Sequence, residues 1–163
     1  MIAPSGWHVA PGIQRSDRLA AMVAAYAATP RLWRAAVRHD TSRRWYVRLA
    51  WSTEHEVWLL GWTAGQAVDL HDHGESAGSF VVTEGALCEE HVAGAGVRRV
   101  RYEPGAVRSF AAGHVHTVWD PGPGPATSIH AYSPPLRSMA FYAREPGMGL
   151  RRTRIERVEG AAP

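Results

Sequence analysis

The sequence contains one cysteine, no lysine, and no apolar run long enough to cross a membrane as a helix. The single cysteine, Cys88, cannot form a disulfide within the chain. A membrane-spanning helix needs about 18 or more consecutive apolar residues, and the apolar runs here are much shorter. The first residues carry neither a basic start nor an apolar stretch, the two marks of a secretion signal. We therefore expect a cytoplasmic protein with no membrane association.

Because lysine is absent, the basic residues are all arginines: 18 of them against 15 acidic residues. Arginine pairs occur at residues 43–44, 98–99 and 151–152, far apart in the sequence and without interleaved aromatic residues. A nucleic-acid-binding surface would concentrate basic residues on one face or in one segment. The charge pattern thus favours solvated surfaces, and we expect no nucleic-acid partner.

Length and composition indicate a single folded domain. With 163 residues, of which 45% are hydrophobic and 20% charged, the chain has the composition of a globular protein and is long enough to fold without disulfides. We therefore expect one domain over residues 1–163. The sequence says little about oligomeric state, and the default expectation is a monomer.

Residues from about 15 to 40 have helical features. Asp17 is a suitable N-cap, and an alanine-rich stretch of high helix propensity follows it. Pro30 breaks this helix. Apolar residues then recur at helical spacing, which predicts a second short amphipathic helix ending near Asp40. We expect both helices to pack against a sheet and to carry no catalytic groups.

Short strands follow from about residue 43. Tyr46 and Arg48 alternate with apolar residues, so these two side chains share one face of a strand. Further apolar segments recur at intervals of about 8 to 12 residues, with glycine or proline turns between them. This spacing favours an all-β sandwich or barrel over residues of about 43–145. A C-terminal tail is expected over residues of about 146–163.

Two histidines suggest a metal site. His71 and His73 are separated by one residue, and on an extended strand such residues point to the same face. Imidazole is a ligand suited to zinc, copper, iron or nickel, so the pair predicts two metal ligands that lack a third. The alternative is a pair of surface histidines beside a turn, since nine histidines in the chain make close pairs common by chance.

The segment around these histidines resembles the first signature motif of the cupin superfamily. That motif has a glycine, a His-x-His pair, usually a glutamate, and a second glycine at fixed spacing. Gly65, His71, His73 and Gly85 fall into register with it, and Gly78 stands at the glutamate position. By this resemblance the usual fourth cupin ligand is missing.

A second stretch resembles the second cupin motif. Three positions match it: Gly105, Gly113 and His116. Ala111 and Asp120 depart from it, standing where proline and asparagine are usual. The resemblance makes His116 the third ligand and leaves His114, two residues earlier, as a bystander.

A three-histidine cupin site without glutamate resembles the thiol dioxygenases, cysteine dioxygenase foremost. Two further segments agree with that family. Residues 45–49 resemble its Tyr-x-Arg strand, and residues 128–135 resemble its Ser-x-His-x-Tyr-Ser-Pro-Pro segment. The matches span roughly residues 45–135, and their joint order and spacing are more specific than any one of them.

The resemblance implies a mainly β protein: a cupin jelly-roll-like β-barrel preceded by short N-terminal helices. It implies an enzyme of cysteine catabolism that uses O2 to oxidise L-cysteine to cysteine sulfinic acid. Its implied cofactor is Fe(II), held by His71, His73 and His116. Arg48, with Tyr46 beside it, would bind the substrate carboxylate. The implied catalytic residues are Ser128, His130 and Tyr132, with Tyr132 at the metal.

Several alternatives stay open at this stage. The substrate of such an enzyme could be another small thiol, such as 3-mercaptopropionate. A non-catalytic metal-binding cupin that senses or binds small acids would need the pocket but not the Ser-His-Tyr series. A cupin isomerase would need a carboxylate in the pocket, for which Asp72 and Glu75 are the nearest candidates. Arg48 could instead form a surface salt bridge, and Tyr132 could be a barrel-wall aromatic.

Overall fold

The computed structural model describes residues 15–93, 96–145 and 149–158. The absence of a secretion signal was argued from residues that lie outside these ranges. The same holds for part of the loop expected after residue 93 and for both ends of the expected C-terminal tail. None of the helices in the described ranges is long and apolar enough to cross a membrane.

The chain begins with helix α1, Arg15–Ala27, with Asp17 in its first turn. The second predicted helix is instead two short 3-10 turns, Pro30–Leu32 and Arg34–Ala36. Between them Trp33 has a φ of −140°, which no helix tolerates. Trp33 is buried and its Nε1–H donates to the Tyr26 carbonyl at 2.9 Å. Anchoring this ring in the core therefore takes precedence over continuing the helix.

The rest of the described chain forms eleven strands. Their bounds, from β1 to β11, are Trp45–Trp51, Glu56–Trp62, Ala67–Asp72, Ala77–Glu84, Leu87–Ala93, Gly96–Tyr102, Val107–Phe110, His116–Trp119, Ala126–Ser133, Ser138–Glu145 and Gly149–Arg157. They make two antiparallel sheets, one in the order β1-β2-β9-β4-β7 and the other in the order β11-β10-β3-β8-β5-β6. The predicted mainly β architecture behind an N-terminal helix is confirmed.

The C-terminal segment differs from the expected tail. Strand β11 pairs with β10 from Ser138–Arg157 at one end to Glu145–Gly149 at the other. Its side chains are exposed and rich in arginine, so no apolar alternation marks the strand in the sequence. Backbone pairing holds it in place, and the Arg154 guanidinium lies 3.7 Å from the centre of the Phe141 ring. Residues 149–157 are therefore the edge strand of the second sheet.

Alternation along the central strands separates two packed regions. Leu59, Ile129 and Val81 pair across β2, β9 and β4, and they pack with Leu19 and Val23 of α1. Their neighbours in each strand point the opposite way, into the space between the sheets. That inner region contains a second cluster, which includes Trp62, Phe80, Leu87, Phe110 and Tyr132. The helix thus covers one face of the first sheet and leaves its other face to line the barrel interior.

Candidate metal centre

Three histidines converge in the barrel interior. His71 at the end of β3 pairs directly with His116 at the start of β8, and His73 follows β3. The ring centres of the three lie 4.7 to 5.2 Å apart, and all three side chains are buried. One nitrogen from each lies within 4.8 Å of the others, a group that could hold a metal ion. Within the described residues the group contains no carboxylate.

Hydrogen bonds orient two of these rings. His71 Nδ1–H donates to the Asp69 carbonyl at 2.7 Å, and His116 Nδ1–H donates to Glu89 Oε1 at 2.8 Å. With the proton on Nδ1, each ring presents the lone pair of its Nε2. A metal-bound histidine commonly uses one nitrogen for the metal and the other for such a bond. Both rings therefore have the protonation that a metal ligand needs.

Unsatisfied nitrogens show that the group fits a metal. His116 Nε2 and His73 Nδ1 are buried and have no hydrogen-bond partner among the described residues. His71 Nε2 and His73 Nε2 face each other at 3.3 Å. A buried polar atom without a partner costs about 1–3 kcal/mol, which a bound cation would offset. Burial lowers the pKa of His71 to about 3 and also lowers the pKa of His73 and of His116, so all three imidazoles are neutral, the form that binds metals.

Phe110 takes the place where a side chain at residue 78 would lie. Gly78 pairs with Phe110 on β7 and with Tyr132 on β9. A Cβ added to Gly78 would fall well inside van der Waals contact with the Phe110 ring and 3.1 Å from Tyr132 Cδ1. The Phe110 ring stacks on His73 with ring centres 5.2 Å apart. An aromatic wall therefore stands beside the histidines at the position where the cupin motif usually has a glutamate.

A hydrogen-bonded series runs along β9 to the histidine group. Trp62 Nε1–H donates to Ser128 Oγ at 2.9 Å, and Ser128 Oγ lies 2.8 Å from His130 Nε2. The Tyr132 hydroxyl lies 3.4 Å from His130 Nδ1, and its ring centre lies 4.9 Å from that of His73. Burial lowers the pKa of His130 to about 3 and raises the pKa of Tyr132. The histidine is therefore neutral and the phenol keeps its proton.

The sequence comparison decides the family. Residues 12–145 match the family described as cysteine dioxygenase type I. The chain belongs to this family. No curated protein matches the chain significantly.

Solved structures with low sequence identity share the fold of this cysteine dioxygenase family member. TT1209 from Thermus thermophilus is 20% identical, with a TM-score of 0.57 over 63% of this chain and 93% of that chain. A cupin superfamily protein from Desulfitobacterium hafniense is 12% identical, with a TM-score of 0.54 over 63% of this chain and 87% of that one. An oxalate oxidase in complex with glycolate is 13% identical, with a TM-score of 0.56 over 65% of this chain and 60% of that one. These similarities support the cupin fold.

Arg48 and Tyr46 lie on the face that carries the β9 series. Arg48 on β1 is the cross-strand neighbour of Trp58 on β2, and Trp58 is in turn the cross-strand neighbour of His130 on β9. Tyr46 is two residues from Arg48 and lies on the same side of β1. β1 is at the edge of its sheet. The Tyr46 side chain is consequently exposed, and its ring meets Trp58 edge-on at 5.8 Å.

The Arg48 guanidinium has an acidic neighbour that the sequence analysis did not identify. Its Nη1 lies 3.6 Å from Oε2 of Glu56, whose side chain is only 1% exposed, while about a third of the Arg48 side chain is exposed. Glu56 pairs directly with Tyr132 across β2 and β9, and its Oε1 accepts the Leu136 N–H at 2.8 Å. Arg48 therefore lies partly exposed at the rim of the barrel and contacts a buried carboxylate below it.

Arg44 is a second site residue that the sequence analysis missed, because it was assigned to a solvated basic pair. Its guanidinium lies 5.3 Å from the centre of the Trp62 ring, and its buried Nε has no hydrogen-bond partner among the described residues. Burial lowers the pKa of Arg44, and the Arg44 charge adds to the lowering of the His130 pKa by burial and opposes the larger rise that burial causes in the Tyr132 pKa. The signal was the alternation itself, since residue 44 shares a face with Tyr46 and Arg48.

Glu89 was also missed, although it contacts the histidine group directly. Its side chain is fully buried on β5 and hydrogen-bonds His116 and His114 through Oε1. His114 lies outside the three-histidine group. It belongs to a different cluster, which consists of Glu89, His91 and His114. The available signal was a glutamate two residues after Leu87, on the inward face of a strand.

Proposed function

We propose that this protein is a thiol dioxygenase that uses O2 to oxidise L-cysteine to cysteine sulfinic acid at a mononuclear Fe(II). His71, His73 and His116 would hold the iron. The observation that carries the proposal is the group of three buried, neutral histidines, two of which have an unsatisfied nitrogen, beside the Ser128, His130 and Tyr132 series. Membership of the cysteine dioxygenase type I family supports the reaction type.

The reaction balances without a further reductant. One thiol and one O2 give one sulfinic acid, both oxygen atoms join the sulfur, and the sulfur supplies all four electrons. Fe(II) would supply adjacent binding positions for thiolate and O2, and three neutral ligands leave its full charge available to lower the pKa of the thiol. Holding the two reactants side by side turns a bimolecular encounter into an intramolecular one.

The β9 series is proposed to hold a proton next to the reacting atoms. If Ser128 O–H donates to His130 Nε2, the His130 Nδ1–H donates to the Tyr132 oxygen, and the Tyr132 O–H is free to donate to the substrate. Burial keeps His130 neutral and Tyr132 protonated, which this arrangement requires. Tyr132 would orient the substrate, while Ser128 and His130 orient Tyr132.

Arg48 is proposed to bind the substrate carboxylate, with Tyr46 beside it at the rim. A guanidinium offers five N–H donors in a planar fork, so Arg48 can contact Glu56 and still form charge-assisted bonds to a carboxylate. Glu56 would then fix the direction of the guanidinium. This role predicts a preference for thiols that carry a carboxylate.

Oxygen uptake by protein purified without oxygen and loaded with Fe(II) tests the proposal. Cysteine, 3-mercaptopropionate and cysteamine form a suitable panel, with the product identified by mass spectrometry. We expect one O2 consumed for each cysteine sulfinic acid formed. Uptake with 3-mercaptopropionate alone would reassign the substrate. A protein that binds iron but consumes no O2 with any thiol would be a binding module, contrary to the proposal.

Metal analysis of four histidine variants tests the ligand set. Alanine at His71, His73 or His116 should abolish stoichiometric iron, because two imidazoles hold a divalent ion poorly. His114→Ala is the matched control and should retain iron, since His114 lies outside the three-histidine group. Iron retained in His116→Ala together with iron lost in His114→Ala would contradict the assignment.

A further inference from the structure

A buried carboxylate lies directly behind the histidine group. Glu89 on β5 is fully buried, and both of its oxygens are engaged. Oε1 accepts hydrogen bonds from His116 Nδ1 at 2.8 Å and from His114 Nε2 at 3.0 Å. Oε2 accepts from Arg108 Nε and from the Tyr102 hydroxyl, both at 2.9 Å. Four donors use the four acceptor positions of one carboxylate.

We propose that Glu89 is the positioning residue for the metal ligand His116: it fixes the proton on Nδ1 and the direction in which Nε2 points. The proposal rests on the metal role of His116 proposed above. Since an ionised carboxylate can only accept, the His116 nitrogen facing Glu89 must be N–H, and the lone pair is then on Nε2. Nε2 is the buried atom that has no partner among the described residues.

Charge and packing keep the carboxylate in this role. The Arg108 guanidinium, which is always charged, lies 2.9 Å from Oε2 and offsets the cost of burying a carboxylate charge. Glu89 is therefore ionised. Arg108 and Tyr102 come from β7 and β6, so the carboxylate is held by two strands other than the one that carries His116. Its position does not depend on His116.

The same residues do not form a second metal site. Glu89, His91 and His114 have the spacing of a possible metal group. The Arg108 guanidinium, however, already lies 2.9 Å from Glu89 Oε2, and a second cation placed there would be repelled. Arg108 already supplies a positive charge to the carboxylate, and we infer that the group supports His116.

The tautomer of His116 can be read without any variant. Nitrogen-15 NMR of the metal-free protein distinguishes a ring protonated at Nδ1 from one protonated at Nε2. We expect His116 to be protonated at Nδ1. A predominant Nε2–H form would overturn the proposal.

Metal affinity in two matched variants tests the same point. Glu89→Gln removes the charge and replaces one acceptor with a donor, so we expect Co(II) affinity to fall about 10- to 100-fold, the usual effect of losing such a partner. Glu90→Gln is the control: Glu90 is the next residue on β5 and accepts from Arg99 and Arg144, away from the histidine group. The Co(II) affinity of Glu90→Gln should equal that of the unmodified protein.

The outcomes separate this inference from the proposed function. Equal affinities for all three proteins, with His116 still protonated at Nδ1 in Glu89→Gln, would overturn the positioning role while leaving the iron site intact. Two metal ions per chain, with one lost in His91→Ala, would also overturn it by making Glu89 a ligand. An unmodified protein that binds no metal would instead contradict the proposed function. If Glu89→Gln does not fold, the NMR result on the unmodified protein decides.

Discussion

The ring of Phe110 fills the space that a side chain at Gly78 would need. The two residues are direct partners on β4 and β7, and a Cβ at residue 78 would overlap the Phe110 ring. The same ring stacks on His73 and on His114, with 5.2 Å between ring centres in each case. The missing glutamate of the cupin motif and the aromatic wall of the histidine group are therefore one structural feature.

Restoring glutamate at residue 78 should destabilise the protein unless Phe110 is made smaller. We expect Gly78→Glu to cost at least about 1–3 kcal/mol of unfolding free energy, as overpacked core positions do. The double variant Gly78→Glu/Phe110→Ala should lose less than the sum of the single losses, because the two residues share one space. Urea unfolding measures the free energy of unfolding of Gly78→Glu, of Phe110→Ala and of the double variant. Gly124→Ala is the control, since its added Cβ meets no described heavy atom within 4 Å. Strictly additive losses would contradict the shared space.

Tyr132 should be unmodified. Some animal members of the cysteine dioxygenase family link a cysteine at the position of residue 78 to the tyrosine, and Gly78 has no side chain with which to form that link. The only cysteine, Cys88, is buried on β5, where it pairs with Arg101 and Trp119. Intact-protein and peptide mass spectrometry should give the mass of the unmodified sequence. A deficit of two hydrogens that maps to Tyr132, and disappears in Tyr132→Phe, would show that a crosslink forms.

Arg48→Gln should reduce selection for the substrate carboxylate. Losing a charge-assisted hydrogen bond costs about 1.5–3 kcal/mol, so kcat/KM for cysteine should fall roughly ten- to more than a hundredfold. Cysteamine, which has no carboxylate, should be a poor substrate and nearly indifferent to the change. Iron content should stay constant. Oxygen consumption with each thiol measures these effects.

Arg44→Gln is the matched comparison for that experiment, because it removes a second guanidinium from the same face. We expect a smaller loss for cysteine than in Arg48→Gln. If Arg44→Gln carries the whole loss and Arg48→Gln none, the carboxylate binds at Arg44. A wild-type protein that oxidises cysteamine as well as cysteine would remove both arginines from substrate selection.

Acid should destabilise the metal-free protein partly through His130. Burial lowers the pKa of folded His130 to about 3 from its ordinary value of 6.5, so between these pH values the unfolded chain binds the extra proton. Stability therefore falls as pH decreases through this window, by up to about 1.4 kcal/mol per pH unit for one histidine. Urea unfolding in chelator should give a shallower pH slope for His130→Phe below about pH 6. Identical slopes would mean that His130 is not buried as a neutral ring.

Local patterns in the sequence were sufficient for much of the fold. The two-residue period placed Tyr46 with Arg48 on one strand face, and glycine turns at regular spacing indicated the β architecture. Strand β11 could not be predicted in this way, because its side chains face solvent and its order comes from backbone pairing with β10. The prediction of the second helix was wrong for the opposite reason. Its apolar spacing was helical, but the burial of Trp33 divides the segment into two short turns.

The sequence by itself predicted which histidines are close, since one residue separates His71 from His73 and the resemblance to the second cupin motif adds His116. Only the tertiary structure decided what surrounds them. Glu89 meets His116 because β5 lies beside β8, and the hydrogen bond that results joins residues 27 positions apart in the chain. Phe110 closes the space over Gly78 through the pairing of β4 with β7. Alternation fixes the face of a side chain within its own strand, whereas its partners depend on strand order and register, which are set by the packing of the whole barrel.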